Sequence, residues 1–288
     1  MKEGFYEAPQ SLDEALEVLD RLQEKATILA GATDIMPRIN DGVFSPEYLV
    51  YIGNTGLTGI RREKDSIIIG ATTTLTQIEE NSLIAQHAPV LTEAVRNMAG
   101  VSIRNMGTIG GNICNASPAA DTATPLLVLD AEVAVMSRRG KRIFPIDEFF
   151  YCPGKTCLNP NEMITEIILP IKPHCSAFLK LGQRKAEVLS IVGVSVKLVN
   201  ENGICKEARI AMGSVAPRPI RCCKAEAFLT GKEITPILCH EAAVIAGGAA
   251  KPIDDGRATA WYRKRLAPVM VERALKKAMG FEEEETAT

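Results

Sequence analysis

The feature that most constrains this sequence is a stretch from residue 100 to 120, whose centre reads Gly107-Thr-Ile-Gly-Gly-Asn112. Glycines leave the backbone accessible, and the threonine and asparagine add hydrogen-bond donors, so this composition suits a pyrophosphate better than it suits core packing. The spacing matches neither Gly-x-Gly-x-x-Gly nor a P-loop, which needs Gly-Lys-Ser/Thr. We therefore predict a long dinucleotide-binding loop here and exclude a Rossmann NAD fingerprint and a nucleoside triphosphatase.

A second run of small residues follows the predicted strand Thr27–Ala30 and reads Gly31-Ala-Thr-Asp34. Successive amides in such a turn form an anion-binding concavity, and the threonine adds a hydroxyl donor. The signal is weak on its own, because strand-to-helix turns of α/β proteins routinely contain Gly-Ala. Farther along, Asp121 could accept a hydrogen bond from a ribose hydroxyl, as acidic residues do in other dinucleotide sites. The same residue stands at the N-cap position of a predicted helix, Thr122–Leu129.

Hydrophobic periodicity and turn residues predict alternating short strands and helices in the N-terminal part of the chain. Ser11-Leu-Asp-Glu14 is typical of a capping box at the start of a helix, and Thr74-x-x-Gln77 can cap a second, short helix. The other predicted elements are the strands Tyr48–Ile52, Ser66–Ala71 and Met163–Leu169, a helix His87–Ala99, and a hairpin that pairs Glu132–Met136 with Lys141–Phe144.

The pattern changes after Pro170–Pro173, which has the composition of a linker. Hairpins followed by helices are expected of an α+β unit. The predicted strands are Ser176–Gly182, Ser190–Val199 and Ile204–Ser214, and the predicted helices cover residues of about 220–229, 237–247 and 257–279.

Composition excludes several classes of function. The 288 residues carry a net charge of −2 and no basic stretch, so nucleic acid is not an expected partner. No window approaches the roughly 18 apolar residues of a membrane span, and no secretory signal is visible, so we expect a cytoplasmic protein. Eight cysteines without CxxC spacing and three scattered histidines favour structural thiols over a metal or hydrolytic site. The acidic run Glu282–Glu285 falls in a predicted solvated tail, residues 281–288.

Several segments together resemble the medium, FAD-binding subunit of molybdenum hydroxylases, a family that includes xanthine dehydrogenases and aerobic-type carbon monoxide dehydrogenases. The segments that carry the resemblance most clearly are Gly31–Ile35, Ile103–Asn112, Ser117–Asp121 and Leu129–Val133. It continues, in the expected order, through Pro153–Thr156, Asn161–Pro170, Lys180–Arg184, Ala216–Arg221 and Tyr262–Leu275, and so covers nearly the whole chain.

The resemblance implies an α+β protein of two domains. Residues 1–172 would form a FAD-binding domain of the vanillyl-alcohol-oxidase (PCMH) type, in two subdomains of about 1–55 and 56–172. Residues 174–280 would form a small α+β C-terminal flavoprotein domain like that of carbon monoxide dehydrogenase.

The resemblance also assigns residues to FAD. The two glycine-bearing loops would line the pyrophosphate from opposite sides, the first with Thr27, Ile28, Leu29, Ala30, Gly31, Ala32, Thr33 and Asp34, the second with Thr108, Ile109, Gly110, Gly111 and Asn112. Met98 and Ala99 would border the flavin ring or its ribityl chain. Asp121 would hold ribityl or ribose hydroxyls, and Ile164 would pack on the isoalloxazine. Lys180 would lie near the polar edge of the ring, where a cation can favour reduced flavin. Without the resemblance, a solvated strand lysine is the preferred interpretation.

Two positions depart from the family pattern. Ala32 stands where relatives usually have a second glycine; because a methyl group restricts positive φ, either the turn does not need that conformation or the loop is altered. Cys152 stands where relatives commonly have a glycine before Pro-Gly-Lys-Thr. Family members with a thioester substrate carry an extra iron–sulfur cluster on an inserted cysteine-rich segment. This chain has no comparable insertion, so we expect no such cluster.

The function implied by the resemblance is an electron relay. Substrate would be oxidised at a molybdopterin-containing large subunit, and electrons would pass through the [2Fe-2S] centres of a small subunit to FAD here, then to NAD or another acceptor. Xanthine or a related purine is the favoured substrate from motif style, with nicotinate-like heterocycles, aldehydes and carbon monoxide still open. The alternatives are a self-sufficient flavin oxidoreductase, for which the roughly 115 residues after the linker look too few, and a non-catalytic nucleotide-binding module.

Overall fold

The computed structural model of the chain describes residues 5–184 and 187–281. Contacts between Cα atoms divide the chain into two compact units. The first unit comprises Met1–Asn81, Gly100–Ala116 and Ala131–Pro170, and the second comprises Ser82–Ala99, Ser117–Asp130 and Ile171–Thr288. The domain boundaries that we drew from the sequence stay predictions, and the predicted tail lies outside the described residues from residue 282 onward.

The first unit begins with a small parallel sheet and two helices. The strands are β1 (Phe5–Glu7), β2 (Ala26–Leu29) and β3 (Tyr48–Tyr51), in the order β1-β3-β2, and the helices are α1 (Leu12–Leu22) and α2 (Ile35–Asn40). The Ser11 hydroxyl accepts from the Glu14 amide at 3.2 Å, which confirms the predicted cap. The Glu14 carboxylate instead accepts from the Gln10 amide at 2.8 Å, so the predicted reciprocal bond is displaced by one residue.

A five-stranded antiparallel sheet forms the rest of the first unit's framework. Its strands are β4 (Ile60–Glu63), β5 (Ser66–Gly70), β6 (Glu132–Ser137), β7 (Gly140–Pro145) and β10 (Met163–Pro170), in the order β4-β5-β10-β6-β7. The predicted hairpin is thereby confirmed as β6 and β7, and a small second hairpin consists of β8 (Phe150–Cys152) and β9 (Lys155–Thr156). Helix α3 (Leu75–Glu79) begins with the predicted capping box of Thr74 and Gln77.

The predicted long loop over residues 100–120 is wrong in its secondary structure. It contains two short helices, α6 (Val101–Met106) and α7 (Ile109–Cys114). Helix α7 forms despite its two glycines because the Thr108 hydroxyl accepts from the Gly111 amide at 3.2 Å, an N-cap that satisfies one of the unpaired donors of the first turn.

The second unit packs helices on a four-stranded antiparallel sheet. Its strands are β11 (Cys175–Leu181), β12 (Val192–Glu201), β13 (Ile204–Gly213) and β14 (Ile220–Arg221), paired in sequence order. Its helices are α4 (Ser82–His87), α5 (Pro89–Arg96), α8 (Ala123–Val128), α9 (Cys223–Leu229), α10 (Pro236–Gly247) and α11 (Ala260–Met279). The predicted helix over residues 87–99 is broken after His87, because Pro89 starts a new helix at its first position.

The core of the second unit explains why those helices lie on the sheet. Alternate residues of β12, from Val192 to Leu198, are buried against α10 and α11. Five of the ten buried residues of these two helices are alanines, and a Cβ at Gly247 would lie 3.0 Å from Pro268 Cδ, so small residues allow the helices to approach closely. In the described part of the chain, no helix combines the length and apolar character that crossing a membrane requires.

Candidate dinucleotide-binding site

The turn after β2 presents unpaired backbone donors. Within the described residues, the amides of Ala32, Thr33 and Asp34 donate to no protein acceptor. Ala32 has φ = +63°, a left-handed conformation that costs an alanine about 1–2 kcal/mol. The turn therefore does need the conformation that glycine adopts easily, and Ala32 adopts it at a cost. Adjacent free amides at a left-handed residue form a concavity suited to an anion, so this turn fits the pyrophosphate of FAD.

The two predicted loops contact each other within the first unit. A Cβ at Gly31 would lie 2.0 Å from the carbonyl oxygen of Met106 and 2.9 Å from Gly107 Cα, so only glycine fits at residue 31. Asn115 Nδ2 also donates to Asp34 Oδ1 at 3.3 Å, which ties the end of α7 to the same turn. The structure thus brings residues 31–34 and 106–115 together, as the pairing of the two loops requires.

The second loop differs from our expectation of accessible backbone. The amides of residues 109 to 112 all donate within the protein, to the carbonyls of Thr73 (3.0 Å) and Ala71 (2.9 Å) and to the hydroxyl (3.2 Å) and carbonyl (2.9 Å) of Thr108. Gly110 is buried, and a Cβ there would lie 2.7 Å from the Ala71 carbonyl oxygen. Gly111 is exposed. Packing against the residues before α3, not accessibility to a ligand, therefore explains the glycine at residue 110.

Ile164 lies on β10, beside this packed region. Its side chain is 3% exposed, and it pairs with Val135 next to an irregularity in the β10–β6 register. The carbonyl of the following residue, Thr165, accepts from the Ala71 amide at 2.9 Å, and Ala71 in turn accepts from Gly110. The strand thereby supports α7 through one intervening residue.

Within the second unit, Asp121 and Lys180 form a buried ion pair. Lys180 Nζ lies 2.6 Å from Asp121 Oδ2 and 3.0 Å from the Asn97 carbonyl oxygen, and both paired side chains are 6% exposed. The interpretation of Lys180 as a solvated strand lysine is therefore wrong. The N-cap predicted at Asp121 is also wrong, since α8 begins after Thr122 and the Asp121 carboxylate accepts from Lys180 and from the Ser190 hydroxyl.

Burial makes Asp121 a weaker acid. Desolvation raises the pKa of Asp121, and the opposing effects of the Lys180 charge and of the hydrogen bonds from Lys180 and Ser190 do not cancel it. The Asp121 carboxyl group is therefore a weaker acid than an exposed aspartate, and it remains in contact with a cation.

Met98 and Ala99 follow Asn97, which ends α5 and whose carbonyl accepts from Lys180. The Met98 amide donates to the Val95 carbonyl at 3.1 Å, and Ala99 has φ = +46°. The bond from Lys180 to Asn97 thus fixes the backbone immediately before these two residues.

Several residues that shape the site were missed in the sequence. Asn97, Met106 and Ser190 act through a backbone carbonyl or a tertiary contact, and no local pattern marks them. Ser190 bonds a residue 69 positions away. Asn115 had a weak signal, as a second asparagine three residues after Asn112 in a segment otherwise built of small and apolar residues.

The cysteines lie apart from any metal-binding arrangement. All eight are free thiols, and within residues 5–184 and 187–281 no group of three or more His, Cys, Asp or Glu side chains could hold a metal ion. Burial raises the pKa of Cys222 to about 12 and that of Cys239 to about 11, so both thiols are protonated at neutral pH.

Comparisons with known proteins agree with this geometry. Residues 2–172 match the FAD-binding domain in molybdopterin dehydrogenase, and residues 177–278 match the CO dehydrogenase flavoprotein C-terminal domain. The chain is 34% identical over 280 residues to the xanthine dehydrogenase FAD-binding subunit of Escherichia coli O157:H7, covering 95% of each chain. It is 35% identical over 244 residues to the nicotinate dehydrogenase FAD-subunit of Eubacterium barkeri, covering 82% of each. A chain of carbon monoxide dehydrogenase from Hydrogenophaga pseudoflava superposes with a TM-score of 0.93 at 32% identity, covering 98% of this chain and 99% of that one.

These matches define a class of flavoprotein, and the chain belongs to the FAD-binding subunits of the molybdenum hydroxylases. Its cofactor is FAD, and it is a subunit of an oxidoreductase. The predictions of the family, of an α+β FAD-binding fold with a CO dehydrogenase-type C-terminal domain, and of the cofactor are confirmed.

Proposed function

We propose that this chain carries FAD in a xanthine dehydrogenase-type complex and relays electrons from [2Fe-2S] centres to NAD or another acceptor. The observation that carries the proposal is the turn of Ala32, Thr33 and Asp34, whose three amides have no acceptor among the described residues and lie at a left-handed residue. The identity of 34% over 95% of the E. coli xanthine dehydrogenase subunit supports this type of complex. When bound, FAD supplies the redox chemistry, while the protein binds and orients it.

The pyrophosphate would be bound chiefly by the first loop. The three free amides are the donors we assign to it, within the proposed segment Thr27–Asp34. In the second segment, Thr108–Asn112, the Thr108 cap and the packed Gly110 hold α7 in place, and the exposed Gly111 is the part with room for a ligand. The second loop therefore contributes mainly by supporting the first.

The flavin and ribityl contacts would come from other residues. We propose that Asp121 accepts from ribityl or ribose hydroxyls with lone pairs not used by its two protein donors. Lys180 would lie near the polar edge of the ring, with part of its charge offset by Asp121. Met98 and Ala99 would border the ring or ribityl chain, and Ile164 would pack on the isoalloxazine.

The proposed partners are a [2Fe-2S] small subunit and a molybdopterin-containing large subunit, in the cytoplasm, with NAD as a possible acceptor. A nicotinate dehydrogenase-type complex is the second candidate, because the identity of 35% with the Eubacterium barkeri subunit is as high as that with the xanthine dehydrogenase subunit. Aldehyde and carbon monoxide dehydrogenase complexes are further alternatives of the same class.

A reconstitution and copurification experiment tests the proposal. Purified chain incubated with FAD should retain it with absorption bands at about 370 and 450 nm, as bound flavins do, and NADH added without oxygen should bleach the longer-wavelength band. Tagged chain from its native source should copurify with two partner chains, one containing iron–sulfur centres and one containing molybdopterin. The complex should oxidise xanthine in preference to nicotinate. A chain that binds FAD, purifies alone and oxidises a substrate by itself would establish a self-sufficient oxidoreductase instead.

A further inference from the structure

The segment that carries Asp121 is held by residues far later in the chain. The Ser190 hydroxyl donates to Asp121 Oδ1, and Ser190 is 1% exposed. The carbonyl of Ser190 in turn accepts from Arg257 Nη1 at 3.0 Å. The position of the Ser190 hydroxyl, and through it of one carboxylate oxygen, therefore depends on Arg257.

Asp255 connects this arginine to a second one. Asp255 Oδ2 accepts from Arg257 Nη2 at 2.6 Å, and Asp255 Oδ1 accepts from Arg263 Nη2 at 2.5 Å. The hydrogen bonds and charge of Arg257, followed by the bond from Arg263, hold the pKa of Asp255 well below its usual range. Asp255 is thus an anion between two guanidinium groups at neutral pH.

The second arginine returns to the Asp121 segment from the other side. Arg263 is 2% exposed, lies in the first turn of α11, and donates through Nη1 to the Ser214 carbonyl at 2.7 Å. The Ser214 amide donates to the Pro118 carbonyl at 2.8 Å. Pro118 precedes Asp121 by three residues, so the polar contacts close a ring within the second unit, which runs through Asp121, Ser190, Arg257, Asp255, Arg263, Ser214 and Pro118.

We infer that Asp255, with Arg257 and Arg263, positions the Asp121 carboxylate for its contact with FAD. This inference rests on the proposed placement of Asp121 at the cofactor. The three residues are positioning residues, since they reach Asp121 only through Ser190, Ser214 and Pro118. Residues of the C-terminal part of the chain thereby contribute to flavin binding without a direct contact.

The pattern of donors distinguishes this role from a contact that only attaches α11 to the preceding turn. An ion pair of Asp255 and Arg263 alone would be enough for that attachment. Instead, each arginine uses a further N–H group to bind a serine carbonyl, and each of those serines bonds the segment Pro118–Asp121. Arginine suits this task because its planar fork fixes two acceptors at once.

The test is a set of FAD affinities measured by flavin fluorescence on the purified full chain. Arg257→Met should raise the dissociation constant of FAD about fivefold, which corresponds to the net contribution of one ordinary hydrogen bond because the lost contacts act on FAD only through Asp121, and should alter the fine structure of the 450 nm band. Arg265→Met is the matched control, since it makes the same charge change at an exposed residue whose guanidinium lies over the Trp261 ring, and it should change the affinity less than twofold. Asp255→Asn replaces Arg257→Met if thermal unfolding shows that the latter does not fold.

A double-mutant cycle then tests the route through Asp121. Asp121→Asn should itself weaken FAD binding, and adding Arg257→Met to it should cost less than a further twofold, because residues that act through one group are not additive. Equal losses in both backgrounds, or an Arg257→Met effect no larger than that of Arg265→Met, would overturn the inference and leave the proposed site intact. If Asp121→Asn changes neither the affinity nor the spectrum, the proposed placement of Asp121 fails, and the inference fails with it.

Discussion

In the first glycine-bearing loop the amides of residues 32–34 have no acceptor among the described residues, whereas in the second loop every amide from 109 to 112 donates within the protein. The sequence indicates the reverse ranking, since the second loop has three glycines and the first has one. Small residues therefore serve two purposes in these two loops. Gly31 and Gly110 allow backbones to pack, while the amides that we propose as donors to the pyrophosphate begin at Ala32, which is not a glycine.

The largest effect should come from Gly31→Ala. Its methyl group would lie 2.0 Å from the Met106 carbonyl oxygen. This backbone atom cannot move aside as the end of a flexible side chain can. We expect a loss of about 3 kcal/mol in the free energy of unfolding, at the upper end for overpacking, together with loss of FAD. Urea unfolding and the flavin content of the purified variant measure the two effects. Unchanged stability would show that the two loops do not depend on this contact.

Gly110→Ala should have the next largest effect. Its Cβ would meet the Ala71 carbonyl oxygen at 2.7 Å, and we expect about 2 kcal/mol of destabilisation from overpacking. Gly111→Ala is the control, because its Cβ would meet a side-chain atom and not backbone, the Thr108 hydroxyl at 2.9 Å, at an exposed position, so its cost should not exceed the roughly 1 kcal/mol of that N-cap. If chemical denaturation finds the Gly111 variant the less stable of the two, the assignment of Gly110 to packing is incorrect.

Thr108→Ala removes the cap of α7 and tests whether the second loop supports the first. The loss of an N-cap hydroxyl typically costs about 1 kcal/mol. FAD affinity should fall as well, although the three free amides of the first loop are unchanged. Calorimetry and a flavin-binding titration provide the two values, and Thr108→Ser should restore both. If the Thr108→Ala chain is destabilised but keeps full FAD affinity, the second loop does not support FAD binding by the first.

Ala32→Gly should have the smallest effect, and the opposite sign. Glycine relieves the left-handed strain but loses more entropy on folding, so a net gain of roughly 0.5–1 kcal/mol is expected. FAD binding should be retained. Ala30→Gly, one residue before Gly31 and without a positive φ, should instead destabilise the chain. A melting temperature that falls in both variants would mean that the turn at Ala32 is not strained.

Local patterns predicted the fold well where neighbours in sequence are also neighbours in space. The hairpin of β6 and β7 needs only alternation and a turn, and the cap of α3 needs two residues three positions apart. The two glycines of α7 argue against a helix, but the Thr108 cap, which is visible in the sequence, outweighs them. The break before Pro89 also has a local signal, because proline favours the first position of a helix.

The electrostatics of the site could not be predicted in the same way. Asp121 has the position of an N-cap, yet its carboxylate accepts from Lys180 and Ser190, which lie 59 and 69 residues away. A buried charged side chain forms hydrogen bonds with the donors that tertiary folding brings to it. Such donors can be far away in the sequence, so no local pattern marks them. For the same reason nothing around Lys180 in the sequence indicates that it is buried.

The alternation of the two units along the chain affects how a protein of this kind can be divided. The segments that match the two family domains meet between residues 172 and 177, but the second unit also includes Ser82–Ala99 and Ser117–Asp130. Thr124 on α8 bonds Ser195 on β12 at 2.9 Å, and Glu93 on α5 accepts from the Phe178 amide on β11 at 2.9 Å. A single cut at residue 172 would expose the faces of α5 and α8 that these strands cover. The segment that matches the C-terminal family domain and the compact unit that contains it are therefore different, and exchanging C-terminal domains between relatives would require those two helices to change with them.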